Sequence, residues 1–149
     1  MIEDERTLVV LADGRRVRLL EEARLAGPLH EHGEWLKGAA PFEQPAGAQR
    51  ATVHARVGGS THASHEPPRD KGERQFLTDL VDHLEHVVRD HRFDHLAVMA
   101  PPRALGVLRK ALPTALARRV TVTDPHDRLD ESVAAIQDHL RAARLRASE

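Results

Sequence analysis

Asp13, Asp94 and Asp124 each fall at or beside the end of an apolar run, where a sheet can gather carboxylates around magnesium for phosphodiester hydrolysis. Each also has a local use. Asp13 precedes Gly14 in a turn, Asp94 opens a strand after a helix, and Asp124 precedes Pro125 where a turn or helix cap is wanted. Metal chemistry has a second candidate in His62, His65 and Glu66 of one loop together with His83 and His86, three residues apart at a spacing that presents two imidazoles to one ion. Helical geometry opposes it, because His83 lies at the edge of an apolar stripe, His86 faces solvent and His91 turns toward the core. No metal or other cofactor is therefore expected, with His62, His65 and His83 as the first ligands to test. Ser60, Thr61 and Ser64 neighbour these histidines, but no Gly-x-Ser-x-Gly elbow presents a nucleophile. Gly58 and Gly59 suit an anion-binding backbone nest, although no helix opens directly after them as in a phosphate loop. The clearest electrostatic feature is Pro101 to Arg119, which holds Arg103, Arg109, Lys110, Arg118 and Arg119 and no acidic residue. A local charge of +5 suits contact with RNA phosphates or an acidic partner. The same cations near a helix C-terminus also favour its dipole.

The elements that would position these groups follow from hydrophobic periodicity. Leu8 to Ala12 is a continuous apolar run, as expected of an interior strand covered on both faces, and Asp13-Gly14 signals a two-residue hairpin turn into a strand from Arg15 to Leu20. Alternation of Val17 and Leu19 with Arg16 and Arg18 suggests one wetter face. A third strand is placed at Leu29 to Leu36, with Ala51 to Val57 as a competitor. Residues 37–70 form a long Pro/Gly-rich loop region, expected to be least ordered between Ala39 and Arg69. Phe76, Leu77, Leu80, Val81, Leu84, Val87 and Val88 recur at helical spacing between Asp70 and His91. A strand at Asp94 to Ala100 leads into Pro101-Pro102, which suits a first helical turn, and that helix runs to about Leu112. Pro113 ends it or starts a second short turn. A buried strand at Val120 to Thr123 and a helix from about Leu129 to Arg144 complete the chain. The order predicts a single α/β domain with a mixed sheet of about five strands: an antiparallel meander, then parallel strands with helices packed on them. This is a ribonuclease H-like arrangement.

Composition sets the outer bounds. The 149 residues carry 22 Lys plus Arg against 23 Asp plus Glu, so any basic site must be local. With no cysteine, thiolate catalysis, disulfides and Cys-type zinc sites are excluded. The five-residue run from Leu8 is far short of the ~20 residues a membrane-spanning helix needs. The opening MIEDER is acidic where a secretory signal would be basic, so the cytoplasm is the expected compartment.

The stretches LVVLADGRRVRLLE, ERQFLTDLVDHLE, FDHLAVMAPPRALGVLRKALPTALARRV and DPHDRLDESVAAIQDHL together resemble the bacterial host-attachment protein family over most of Thr7 to Leu140. That resemblance implies a small α/β protein required for attachment to host cells, with no defined reaction. The family in turn is similar to the middle domain of archaeal and eukaryotic class-1 peptide-release factors, which carry a Gly-Gly-Gln loop. The comparable stretch here is Gly58-Gly59-Ser60-Thr61, with Arg74-Gln75-Phe76 beyond it, and the glutamine is missing. Release activity is accordingly not expected. The sequence reads as a non-enzymatic binding protein with an unidentified macromolecular partner. A ribosome- or RNA-associated factor is the alternative, and a metal-dependent nuclease the third. Arg103, Arg109, Lys110, Arg118, Arg119, Gly58 and Gly59 are the candidate binding residues.

Overall fold

Five strands form one mixed sheet, lying side by side in the order third, second, first, fourth, fifth as counted along the chain. The structure, a computed structural model, describes residues 5–37 and 68–147. The competing strand at Ala51 to Val57 and the stretch Gly58 to Glu66 lie outside the described residues. The strands are β1 (Thr7–Ala12), β2 (Val17–Glu22), β3 (Leu29–Glu31), β4 (His95–Met99) and β5 (Val120–Asp124). The helices are α1 (Pro68–His91), α2 (Pro102–Ala111), α3 (Thr114–Ala117) and α4 (Val133–Ala147). β1 lies at the centre, antiparallel to β2 and parallel to β4, and all six of its residues are buried. From Leu8 to Ala12 it has no polar position and so no solvent face to offer, which seats it between neighbours under helices on both sides.

The two faces bury separate cores. Leu8, Val10, Val17, Leu19, Leu96 and Val98 meet the apolar stripe of α1 and Leu105, Leu108 and Leu116 from α2 and α3. Val9, Leu11, Leu20, Ala97, Met99 and Val122 meet Ile136, Leu140 and Ala143 of α4.

Several boundaries differ from the sequence reading, each for a local reason. The hairpin loop has four residues, 13–16, because Asp13 Oδ1 accepts the N–H groups of both Arg15 and Arg16 at 2.9 Å and withdraws them from the ladder. Pairing resumes at Ala12 opposite Val17. Arg18 is only 8% exposed, so β2 has no wet face. Its guanidinium grips Glu31 through two bonds of 2.9 and 2.7 Å and donates to the Leu129 and Glu131 carbonyls, tying the sheet to the loop before α4. The third strand stops at Glu31, and Gly33–Leu36 is a 3₁₀ turn holding Trp35. β5 is not buried throughout: it is an edge strand with Thr121 exposed. α4 begins later than Leu129, at Val133, where Ser132 Oγ accepts the Ala135 N–H. Leu129 is still buried, but as a loop residue.

Candidate functional site

The three aspartates do not gather. β1, β4 and β5 run parallel, so Asp13 and Asp124 lie at the C-terminal edge of the sheet, whereas Asp94 precedes β4 at the opposite edge. A five-residue strand is roughly 17 Å long, and Asp13 and Asp124 are separated by two strand spacings, about 10 Å. Each carboxylate is also occupied. Asp94 accepts the Arg6 N–H at 2.9 Å, and Asp13 closes its own loop and pairs with Arg16 at 3.2 Å. Asp124 is fully buried and accepts hydrogen bonds from His126 Nδ1 at 2.6 Å and Arg128 Nε at 3.1 Å. Burial alone would raise its pKa. Those two bonds and the Arg128 charge outweigh it and hold the carboxyl below its ordinary range, so the group stays ionised and structural.

The basic segment is divided by the fold. Pro101 and Pro102 open α2, and Leu105 and Leu108 bury its inner side. Leu112 is extended with ψ 127°, as a residue before proline must be, and Pro113 then caps the single turn of α3. Arg103, Arg109, Lys110, Arg118 and Arg119 are all exposed. Arg103 borders a cleft of about 290 Å³ at the C-terminal edge of the sheet together with Asp13, Glu73 and Arg74, so its surroundings are charge-balanced. It lies seven residues, roughly 10 Å along the helix, from Lys110. Arg119 turns the other way. Its guanidinium donates to the Phe93 carbonyl at 3.0 Å in a groove shared with Glu85, Arg89, Arg92 and Asp94. Arg109 donates to Thr123 Oγ1 at 3.2 Å, a neutral partner that leaves its charge uncompensated, while Lys110 and Arg118 pair with no carboxylate among the described residues. The exposed cations of this segment left without a carboxylate partner among the described residues are thus Arg109, Lys110 and Arg118. Gly58 and Gly59 lie outside the described residues.

Two features escaped the sequence reading. The first is a pocket of about 230 Å³ between α2, α3 and β5, with Val98 of β4 also in its lining beside Leu105, Leu108, Arg109, Leu112, Ala117, Val120 and Thr123. Its Val120 wall depends on an irregularity: Leu96 pairs with Val120 but Ala97 with Val122, so Thr121 is an extra residue. That bulge reverses the alternation, turning Val120 to the α2–α3 face while Val122 packs toward α4. The second is a ring cluster. Trp35 stacks on His32 at 3.9 Å and on His91 at 4.2 Å, with Phe93 edge-on, and its carbonyl meets His83 Nε2 at 2.8 Å. His83 is therefore engaged with the 3₁₀ turn. Arg6 lies 4.5 Å over the Phe93 ring and pairs with Glu21, which also meets His32. Burial would raise the Glu21 pKa, but the bonds from Arg6 and His32 lower it overall. The one tryptophan and the excess of histidine were visible in the sequence. Their convergence was not, because it joins residues nearly 60 apart. Among the described residues no three His, Asp or Glu side chains group as a metal site.

Residues 8–140 match the family described as "protein required for attachment to host cells". The match spans most of the chain, which therefore belongs to that family. No curated protein matches the chain. No helix among the described residues is long and apolar enough to cross a membrane.

Proposed function

We propose that this member of the host-attachment family works by binding a macromolecular partner, without turning over a substrate, and that the partner meets the cationic surface of α2 and α3. The observation that carries the reading is the exposure of Arg109, Lys110 and Arg118 in a segment without acidic residues. Fixed cations with no carboxylate beside them attract an anionic partner and leave nothing to be displaced when it arrives. The occupied state of Asp13, Asp94 and Asp124 supports binding over hydrolysis. The reading places the protein in the cytoplasm, with an indirect contribution to attachment. The test compares attachment to host-cell monolayers of bacteria carrying the wild type or the triple variant Arg109→Glu, Lys110→Glu, Arg118→Glu at matched protein levels. Attachment should fall in the triple variant and change less for Arg103→Glu. Wild-type attachment by a folded triple variant rejects the surface.

A second reading, a ribosome- or RNA-associated factor related to the release-factor middle domain but without release activity, is favoured by the same arginines, which suit phosphate oxygens. Affinity for single-stranded RNA would then fall with salt. Losing three phosphate contacts should make the slope of log K against log salt shallower by roughly two.

A further inference from the structure

We infer that the pocket between α2, α3 and β5 receives one apolar side chain of an acidic polypeptide. This rests on the proposal that the α2–α3 surface is the contact, and it names the partner's chemistry. The lining is aliphatic apart from Arg109, formed by Val98, Leu105, Leu108, Leu112, Ala117 and Val120, with Thr123 as the one neutral polar group. Leu105 and Leu108 are core residues, but Leu112 and Val120 are only half-buried and Ala117 is exposed, so the apolar wall is open to solvent. Its opening has a structural cause. Pro113 turns the chain out of α2, α3 lasts a single turn and covers little, and β5 is the last strand of the sheet. At about 230 Å³ the space is below the range typical of small-molecule sites and suits a single aliphatic anchor.

Charge selects the flanks of that anchor. Arg109 is part of the lining and bridges it through its bond to Thr123, while Lys110 and Arg118, each one residue beyond a lining residue, add positive charge to α2 and to the end of α3 without lining the pocket. An apolar side chain between carboxylates complements both the pocket and its rim. RNA complements only the rim. Single-stranded bases are held by stacking on aromatic rings, and the lining contains none, Trp35, Phe76 and Phe93 all packing elsewhere.

The probes are a fluorescein-labelled 12-residue peptide of Asp and Glu with one central leucine, the same peptide with serine in its place, and a single-stranded RNA of equal charge. Each is titrated into the full chain and followed by anisotropy, with circular dichroism melts confirming that every variant folds. The leucine peptide should bind at least tenfold more tightly than the serine peptide, a modest factor for burying a leucine side chain. Ala117→Phe, a substitution at an exposed position that fills the mouth, should remove that advantage. Equal binding of the two peptides, or an Ala117→Phe variant that keeps the advantage, overturns the pocket assignment while leaving the cationic surface standing. Tighter binding of RNA than of the leucine peptide overturns it in favour of a nucleic acid. If Arg109→Glu with Lys110→Glu weakens no probe, the cationic-surface reading itself fails. A wild-type dimer in sedimentation that Ala117→Phe dissociates, with no peptide bound, overturns it in favour of a second copy of the chain.

Discussion

Removing either half of the Glu22–Arg144 pair should cost several kcal/mol, and removing both should cost less than the sum. Glu22 ends β2 with its side chain only 2% exposed, and Arg144 reaches it from α4 through two bonds of 2.8 and 2.6 Å. The same carboxylate accepts the N–H of Ala26, a residue held at φ 65°. One pair thus joins the sheet, the β2–β3 turn and the C-terminal helix. Arg144→Leu strands a carboxylate that water cannot reach, a loss of about 4 kcal/mol by comparison with other buried pairs. Glu22→Leu leaves a guanidinium that is 23% exposed and can partly rehydrate, so about 3 kcal/mol is expected, including the lost Ala26 bond. The double variant replaces charge by apolar contact on a face lined with Leu20, Ile136 and Leu140. It should therefore recover at least about 2 kcal/mol relative to additivity. Urea denaturation followed by circular dichroism reads all three, and melting temperatures should fall by roughly 10 °C in the single variants. If each single change costs under about 0.5 kcal/mol, or the double equals the sum, the pair is screened like a surface contact and the argument fails.

Acid should destabilise the fold through Asp124 and Glu21, whose pKa values are both lowered. Such groups add stability above their unfolded values of about 4, and that stability is lost as pH falls through the lower folded values. Asp124→Asn should be less stable at neutral pH yet lose less between pH 5 and 3, and an unchanged acid limb would contradict this. Gly14 has φ 105°, and an added Cβ would lie 3.2 Å from Glu73 Cβ. Gly14→Val should therefore cost about 1–2 kcal/mol or more in thermal or urea melts. Gly106 in α2 has open space around it, so Gly106→Ala should stabilise by about 0.5–1 kcal/mol, and the opposite order of effects would refute the conformational argument.

What the sequence determined by itself is the set of elements whose signal is local and repeated. The apolar run of β1 and the stripe from Phe76 to Val88 needed no knowledge of their neighbours, because burial on two faces and burial on one helical face leave different periods. The order of such elements made the mixed sheet legible, and the resemblance to the family rested on particular stretches, above all those around Asp13-Gly14 and Pro101 to Leu112. Tertiary structure decided where a residue's bonding partner is distant. Arg18 reads as a polar alternation until its acceptors at Leu129 and Glu131 arrive from more than 100 residues away. Asp13, Asp94 and Asp124 are open both to a carboxylate cluster and to local turn or cap roles until the strand order puts Asp94 at the opposite edge and each carboxylate is seen to hold its own partner. Val120 joins the wall of the pocket beside β5 because one extra residue at Thr121 turns it to the other face. A bulge is a relation between two strands, and no pattern within one of them encodes it.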